Sequence, residues 1–219
     1  MVFLRPFEVS DRNRIMEILT SPKVNKTYML PDFQDWANAF PLFTRLHTMS
    51  QDQKLYVRAI VTEDGPVGFL NHTEIPGKRI ELGYAIHPDF QGKGIMSAAL
   101  LLAIDELFSL GYEEVTAGAF STNAASIRVM EKCGMTKMDK YEEIEYRGIR
   151  HSCVYYSRKK PELTFRCCFC GNATTPGNSY SLTVTRAHDP TGPEQTLYCC
   201  RGCLEQHLAD PKLLYLKYM

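Results

Sequence analysis

A loop with two glycines stands between a strand-like run, residues 79–87, and a helix-like run, residues 95–110, and it has the residue types that bind anions. Its sequence is Gln91-Gly92-Lys93-Gly94. The first N–H groups of a helix lack intrahelical acceptors, and the helix dipole adds partial positive charge at the same end. Glycine lets the backbone approach an anion closely, and Lys93 adds a charge at the mouth of the loop. The spacing therefore predicts a phosphate-binding loop.

Cysteines near the end of the chain have the spacing of a metal site. Six of the eight cysteines fall in the last 58 residues, and four of them form two CxxC pairs with 29 residues between the pairs. These four are Cys167, Cys170, Cys200 and Cys203. Each pair can turn two sulfur atoms toward one ion, and four thiolates satisfy the tetrahedral geometry of zinc. Because four thiolates leave no open coordination position, the prediction is a structural Zn²⁺.

The same residues allow two alternatives to this zinc site. A segment this small needs a cross-link, and disulfides would serve, although a cytoplasmic location argues against them. Four other side chains could also replace a predicted ligand: Cys168, Cys199, His188 and His207. A predicted hairpin between the CxxC pairs and a helix after the second pair resemble a zinc-ribbon or treble-clef module.

The glycine loop does not match the two best-known phosphate-binding loops. A nucleoside triphosphatase loop needs GxxxxGK followed by Ser or Thr, and a dinucleotide fold needs GxGxxG with an acidic residue about twenty positions later. The loop instead resembles the pyrophosphate loop of the GCN5-related N-acetyltransferase (GNAT) superfamily, which has Gln or Arg, two residues, Gly, one residue, then Gly or Ala. Met96 occupies the last position, where it leaves the amides intact but crowds the approach to them.

Two further segments carry the same resemblance. Residues 80–88, before the loop, resemble the fourth strand of this family, and residues 123–135 resemble its next motif. Within the family, the Leu4-Arg5-Pro6-Phe7 opening and the Asn123-x-x-Ser126 spacing resemble the branch of the ribosomal-protein N-terminal acetyltransferases. The resemblance covers about residues 2–158, and the cysteine-rich tail lies outside it.

The resemblance implies that an amine attacks the thioester of acetyl-coenzyme A (acetyl-CoA) directly, without an acyl-enzyme. The amine must lose a proton, the oxyanion needs a donor, and the departing thiolate takes up a proton. Glu81 matches the position of a base in many relatives, and backbone amides near Ala85 and Ile86 could serve the oxyanion. Met130 stands where many relatives have a tyrosine acid, so Ser126 is the predicted acid, although a serine in the first turn of a helix is also an ordinary capping group.

The same resemblance implies a set of residues that contact acetyl-CoA. These are Ala85, Ile86, His87, Gln91, Gly92, Lys93, Gly94, Ile95, Met96 and Asn123. Asn123 could equally be an ordinary helix N-cap. Because side chains alternate along a strand, Glu81 shares a face with the small residues Gly83 and Ala85, and this face suits the slender pantetheine arm of the coenzyme. The alternative is a strand packed on a helix, with Glu81 solvated.

Composition limits the classes of partner. Lys plus Arg and Asp plus Glu number 25 each, which gives no basic footprint for nucleic acid. The longest apolar run, around residues 95–104, is too short to span a bilayer, and the first six residues lack the basic head and apolar stretch of a signal peptide. The prediction is therefore a cytoplasmic protein without a nucleic-acid or membrane partner, and a homodimer is compatible with it.

The order of the predicted elements gives the fold class. A first strand and a helix capped by Ser10-Asp11 precede a helical stretch over residues 32–49, which Pro41 should kink or divide. Three strands, a helix, a strand, a helix and two final strands follow. We predict an α+β acetyltransferase domain over residues 1–160, with a GNAT-like mixed, mostly antiparallel sheet flanked by helices, and a small zinc-binding module over residues 161–219.

Two functional hypotheses from different classes follow. The first is an N-acetyltransferase that moves acetyl from acetyl-CoA to a primary amine, which could belong to a protein N-terminus or to a small molecule such as an aminosugar or polyamine. The second is a non-catalytic protein that senses coenzyme A through this fold and binds a partner through the zinc module. Glu81 and Ser126 are both present, which favours the enzyme.

Overall fold

A computed structural model describes residues 1–31, 33, 35–162, 164–184 and 194–209 of the 219-residue chain. Contacts within the chain divide it into two compact units, Met1–Lys160 and Pro161–Met219. The first unit has the predicted α+β architecture, with a seven-stranded mixed sheet packed on both faces by helices. No helix in the described residues is long and apolar enough to cross a membrane.

The sheet of the first unit contains one parallel pair of strands. Its strands are Phe3–Arg5 (β1), Val57–Thr62 (β2), Gly65–Glu74 (β3), Arg79–Ile86 (β4), Glu114–Phe120 (β5), Thr136–Tyr146 (β6) and Ile149–Lys159 (β7). The strand order is β1-β2-β3-β4-β5-β7-β6. Neighbours are antiparallel except β4 and β5, which run parallel and therefore need a crossover connection between them.

Helices cover the two faces of this sheet. They are Arg12–Leu19 (α1), Trp36–Gln51 (α2), Ile95–Ser109 (α3) and Ala124–Lys132 (α4). The crossover helix α3 and helix α4 pack on one face with inward-facing side chains such as Ile60 and Leu82. Helices α1 and α2 pack on the other face with Val57, Phe69 and Ala85. The alternation of side chains along each strand thus produces two apolar layers.

The structure bears on two predictions about the first helices. Pro41 does not divide α2, which continues through it as one helix. Pro41 and Ala37 are both exposed, so water can bind the carbonyl that loses its intrahelical partner. The buried carboxylate of Asp11 makes no cap hydrogen bond to α1 itself. It closes a capping box on the 3-10 turn Val9–Asp11 that leads into α1, where it accepts the N–H of Glu8 at 2.8 Å. It also accepts two hydrogen bonds of 2.7 Å from Arg5.

The second unit contains two short antiparallel pairs and one α-helix in its described residues. The first pair is Phe165–Arg166 (β8) with Ala173–Thr174 (β9), and the second is Ser179–Val184 (β10) with Gln195–Cys200 (β11). Helix Arg201–Ala209 (α5) follows β11 directly. The predicted hairpin between the CxxC pairs and the helix after the second pair are therefore present. Together they bring the second CxxC pair to the junction between a strand and a helix.

Candidate functional site

The parallel strands β4 and β5 separate before either of them ends. Their pairing stops where Glu81 faces Thr116, although β4 continues to Ile86 and β5 to Phe120. Beyond that point, the facing edges of the two strands have no ladder partner in the part of the chain that the structure describes. We call this gap the notch. Because backbone N–H and C=O groups need partners, the notch offers hydrogen bonds to a ligand that enters it.

The register of β4 decides which of its backbone groups face the notch. His87 donates its N–H to the carbonyl of Val67 at 2.8 Å, and hydrogen-bonded positions in an antiparallel pair recur every two residues. Gly83 and Ala85, which lie in the regular part of this pairing, therefore bond to β3, whereas the N–H groups of Tyr84 and Ile86 point into the notch. Of the two amides predicted to hold an oxyanion, that of Ile86 faces the notch and that of Ala85 is turned toward β3.

The glycine loop after β4 has the geometry of an anion-binding turn. Gly92 and Gly94 have φ angles of +74° and +77°, which favour glycine, and no atom lies within 4 Å of a Cβ added at either residue. Gly94 is the N-cap of α3, so the free N–H groups of the first helical turn open beside the loop. The side chain of Gln91 donates to the carbonyl of Ile86 at 3.4 Å, which ties the loop to the end of β4.

A cavity of about 540 Å³ is lined by this loop, β4 and α4, and we call it the loop-side cavity. Eight of the predicted coenzyme contacts line it: Ala85, Ile86, Gln91, Gly92, Gly94, Ile95, Met96 and Asn123. His87 and Lys93 do not belong to its described lining. The His87 ring instead lies 3.6 Å from Glu17, and Lys93 Nζ lies 5.2 Å from the centre of the Phe90 ring. Met96, in the first turn of α3, packs in the core and also lines the cavity, so its crowding of the approach to the amides stays a prediction.

Three basic residues that sequence reasoning did not single out line the loop-side cavity as well. They are Lys23, Arg128 and Lys132. Arg128 and Lys132 are four positions apart on α4, so they share one face of the helix, and this spacing is visible in the sequence. Lys23 comes from the segment after α1, and only the tertiary structure brings it to the cavity. Their charges suit a ligand that carries phosphate groups.

Ser126, the predicted acid, lies in the first turn of α4 and lines the loop-side cavity. Its N–H donates to Oδ1 of Asn123 at 3.1 Å, so Asn123 is the N-cap of this helix. Its Oγ lies 2.7 Å from the hydroxyl oxygen of Tyr84, a partner that the sequence did not predict. Burial raises the pKa of Tyr84 to about 12, although the hydrogen bond with Ser126 lowers it. The phenol is therefore protonated at neutral pH. Met130, at the position where the resemblance implied a tyrosine acid, is fully buried in the core.

Glu81, the predicted base, lies on the opposite face of β4 at the last residue that pairs with β5. Its carboxylate accepts a 2.9 Å hydrogen bond from the hydroxyl of Thr73. It lines a second cavity of about 660 Å³, which we call the helix-side cavity because α2 forms one of its walls. The two cavities meet at the notch, where both are lined by Leu82, Gly83, Gly118 and Ala119.

The small residues of β4 do not leave the open face that the sequence suggested. The Tyr28 hydroxyl lies 3.1 Å from the position that a Cβ would take at Gly83. Tyr28 is held there by a 2.6 Å hydrogen bond to Asn71, and Ala85 packs in the second core layer with Phe69. At Gly83 and Ala85 that face is therefore covered by side chains, whereas Glu81 and the edge of β4 along the notch are accessible.

In the second unit, the four predicted zinc ligands come together. The sulfur atoms of Cys167, Cys170, Cys200 and Cys203 all lie within 4.8 Å of one another, and those of Cys170 and Cys200 are 4.0 Å apart. Four Zn–S bonds of about 2.3 Å in a tetrahedron separate the sulfur atoms by about 3.8 Å, so this donor set fits a zinc ion. Burial raises the pKa of the Cys167 thiol, but backbone N–H groups of Cys170 and Cys200 outweigh it and bring the pKa to about 6.

The alternative ligands lie outside this group of sulfur atoms. The Cys199 thiol donates to the carbonyl of Tyr180 at 3.7 Å, and Cys168 is exposed. His207 is buried but does not belong to the group, and His188 lies outside the described residues. No disulfide bond joins the eight cysteines, all of which lie within the described residues. In the described part of the chain, the two CxxC pairs therefore form the candidate metal centre.

Comparison with known proteins identifies one family. A family model described as "Acetyltransferase (GNAT) domain" matches residues 2–136, which is more than half of the chain. The match spans β4, the glycine loop, α3 and α4. It therefore includes every residue of the first unit that the sequence predicted to be catalytic or to contact the coenzyme.

Solved structures of several acetyltransferases share the fold. A ribosomal L7/L12 α-N-protein acetyltransferase in complex with coenzyme A is 20% identical, with 72% of this chain and 93% of that chain covered and a TM-score of 0.65. A ribosomal-protein-S5-alanine acetyltransferase from Vibrio fischeri is 18% identical, with 73% and 96% covered and a TM-score of 0.60. A spermidine N-acetyltransferase from Vibrio cholerae, solved with CoA and spermine, is 18% identical, with 72% and 95% covered and a TM-score of 0.62.

Proposed function

Since this chain belongs to the GNAT family of acetyl-CoA-dependent N-acetyltransferases, we propose that it acetylates the terminal amine of a protein or peptide. The amine attacks the thioester directly, as the family resemblance implies. The observation that carries this proposal is the notch between β4 and β5, where a cavity with a glycine loop meets a cavity with a carboxylate. A donor and an acceptor that enter from opposite sides meet there.

The loop-side cavity fits acetyl-CoA. The open space at Gly92 and Gly94 and the free N–H groups of α3 suit the pyrophosphate. Arg128 and Lys132 add positive charge for a phosphate group. The edge of β4 can pair with the amide groups of the pantetheine arm in the way that a neighbouring strand would, which places the thioester at the notch. The N–H of Ile86 is then a donor for the oxyanion of the tetrahedral intermediate.

Glu81 is the proposed base. It lies where the helix-side cavity reaches the notch, so an ammonium group that approaches the thioester from this side passes its carboxylate. The hydrogen bond from Thr73 fixes one carboxylate oxygen and leaves the other for the amine or for a bridging water. Removal of the proton frees the nitrogen lone pair for attack.

Ser126 is the proposed acid on the opposite side of the notch. When the tetrahedral intermediate collapses, the C–S bond breaks and the coenzyme leaves as a thiolate. Ser126 lines the loop-side cavity and can donate its hydroxyl proton to this thiolate. The Tyr84 hydroxyl, whose oxygen lies 2.7 Å from that of Ser126, can then donate to the Ser126 oxygen. The proton that Ser126 gives up is thereby replaced from the phenol, which later recovers a proton from solvent.

The shape and charge of the helix-side cavity support a terminal amine on a chain rather than a polyamine. Its α2 wall runs from Asn38 to Met49, which lie eleven positions apart. This separation is about 16 Å along a helix, a length that about five residues of an extended peptide would span. Glu81 is the one carboxylate in the described lining, and Arg45 adds a positive charge to the same wall. The additional ammonium groups of a polyamine would therefore lack carboxylate partners in the described lining of this cavity. A protein of the same fold is named an α-N-protein acetyltransferase.

The test is acetyl transfer to a matched panel of amines. Purified full-length protein is incubated with acetyl-CoA and with a peptide, the same peptide acetylated beforehand at its N-terminus, spermidine or glucosamine. We expect thiol release with the free peptide alone, and mass spectrometry should place one acetyl group on its α-amine. Preferred acetylation of spermidine, of glucosamine or of a lysine side chain in the blocked peptide would contradict the proposed acceptor.

We also propose that the four clustered cysteines bind a structural Zn²⁺ in the second unit. Four sulfur atoms this close repel one another as thiolates unless a cation lies between them, and their spacing suits zinc. Metal analysis of protein purified without chelators should give one zinc per chain. Cys203→Ser should lower this content, whereas Cys168→Ser, a matched change outside the cluster, should not. Zinc-free wild-type protein would refute the site.

A further inference from the structure

The walls of the helix-side cavity are apolar around the point where the amine must reach the notch. The α2 wall presents residues three or four positions apart, which therefore lie on one helix face. They are Asn38, Pro41, Leu42, Arg45, Leu46 and Met49. Facing them, the sheet contributes Phe69 and Phe120, and the segment before α2 contributes Met29, Leu30 and Phe33. A substrate group that enters beside the amine is thus surrounded mainly by aliphatic and aromatic side chains.

Most of the polar side chains in this lining already have hydrogen-bond partners within the protein. Tyr28 donates to Asn71 at 2.6 Å, and Thr73 donates to Glu81 at 2.9 Å. Tyr155 donates to Glu142, which lies outside the described lining. A hydroxyl-rich substrate such as a sugar would find few unpaired donors and acceptors here, and its own polar groups would lose hydration without replacement.

The segment that closes the cavity is held in place by the β6–β7 hairpin. The hydroxyl oxygen of Tyr146, at the end of β6, lies 2.9 Å from the carbonyl oxygen of Asn25 and 3.0 Å from that of Leu30. Leu30 itself is buried in the second core layer. The apolar wall around Leu30 is therefore fixed by hydrogen bonds and packing, so the cavity exists before a substrate arrives, which favours selection by shape.

We infer that the acceptor carries a large apolar group directly beside its primary amine. For a peptide, this group is the side chain of the first residue, such as Leu, Phe or Met. The amine lies at Glu81, and the apolar side chain lies between the α2 wall and Phe120. This inference rests on the proposed function for the site, but it concerns the chemistry next to the amine and applies equally to a small-molecule acceptor.

The test varies only the group beside the amine. Peptides that differ in the first residue, with Leu, Phe, Gly, Asp or Lys, are compared by kcat/KM, and 2-phenylethylamine is compared with ethanolamine and spermidine. We expect Leu-first and Phe-first peptides to exceed Gly-first and Asp-first peptides by tenfold or more, since one methylene in an apolar pocket is worth roughly tenfold or more in specificity. Equal rates across the series, or a preference for Asp, Lys or spermidine, would overturn the inference.

A pair of variants on α2 locates the determinant. Leu42 is half-buried in the cavity wall, whereas Phe40 lies on the same helix, is 45% exposed and lies outside the described lining. Leu42→Asp should remove the preference for Leu-first over Lys-first peptides, and Phe40→Asp should keep it. An unchanged preference in folded Leu42→Asp would also overturn the inference. The peptide series with the wild-type protein tests the inference even where Leu42→Asp does not fold.

Failure of the inference and failure of the proposed function give different results. Acetylation of 2-phenylethylamine without acetylation of any peptide supports the apolar neighbour and removes the peptide acceptor. Acetylation of all peptides at similar rates keeps the peptide acceptor and removes the apolar neighbour. No acetylation of any amine by protein that still binds coenzyme A overturns both.

Discussion

Removal of the Tyr84 hydroxyl should slow the chemical step and leave coenzyme binding unchanged. Tyr84→Phe keeps the ring, which packs against the core, and deletes the 2.7 Å hydrogen bond to Ser126. A hydrogen bond between neutral groups has a net worth of about 1 kcal/mol. At about 1.4 kcal/mol for each factor of ten, kcat should fall roughly fivefold. Ser126→Ala removes the proposed acid itself and should lower kcat about a hundredfold, within the range of general acid–base catalysis.

The assay is thiol release from acetyl-CoA at saturating acceptor, with KM for acetyl-CoA measured for each variant. Because Tyr84 acts through Ser126, adding Tyr84→Phe to Ser126→Ala should change kcat by less than about twofold. Tyr56→Phe is the matched control, since the buried Tyr56 hydroxyl donates to Glu106 at 2.8 Å and Tyr56 lies outside the described linings of both cavities. If the two single effects multiply in the double variant, Tyr84 does not act through Ser126.

The pH dependence of kcat gives an independent check. The pKa of Tyr84 is raised by burial from its ordinary value of about 10 to about 12. A raised pKa keeps the phenol protonated as pH rises, so its contribution should be constant from about pH 6 to about pH 10. The ratio of wild-type to Tyr84→Phe kcat should therefore be flat over this interval. A ratio that falls to one with a midpoint near pH 9 would show that the phenol ionises earlier and would refute the argument.

Three further predictions follow from the same geometry. Glu81→Gln should lower kcat/KM tenfold or more at neutral pH and recover as the amine loses its proton at higher pH; an unchanged pH profile would exclude Glu81 as the base. Gly94→Ala strains a residue at φ +77° by about 1 kcal/mol and should raise the Kd of coenzyme A about fivefold in calorimetry. Gly65→Ala, at φ +87° in the first residue of β3, should lower only the melting temperature. A zinc chelator should remove hydrogen-exchange protection from residues 165–184 and 194–209 before it affects the first unit, and simultaneous loss in both units would contradict a structural role of the metal confined to the second unit.

The features that the sequence predicts well are those that depend on neighbouring residues. Gly92 and Gly94 adopt positive φ angles at the start of α3, as a glycine-rich turn between a strand and a helix requires. Each CxxC pair is also a local signal, because its two cysteines are only three positions apart. The hairpin of β10 and β11 then brings the two pairs together. The α+β class follows from the order of strands and helices. Each of these predictions needs no knowledge of which distant residues meet.

The features that the sequence misses arise from pairing and packing at long range. Tyr84 and Ser126 are 42 positions apart, and neither residue type indicates their contact. Lys23 reaches the loop-side cavity only through the packing of the segment after α1. Asp11 was predicted to cap α1, but its carboxylate instead closes a capping box on the 3-10 turn before α1 and pairs with Arg5 through two hydrogen bonds. The pairing with Arg5 is charge-assisted at both ends, and the sequence does not show that these two side chains meet.

The period of strand β4 links the two halves of the proposed reaction. Successive side chains of a strand point to opposite faces, so Glu81 faces the helix-side cavity and Tyr84 faces the loop-side cavity. The backbone alternates in step, which directs the N–H of Ile86 into the notch between them. A shift of β4 by one residue against β3 would turn the Glu81 carboxylate, the Tyr84 phenol and the Ile86 N–H to the opposite sides at once. The base, the phenol behind the proposed acid and the oxyanion donor therefore depend on a single register, and β3 fixes it through the 2.8 Å hydrogen bond from His87 to Val67.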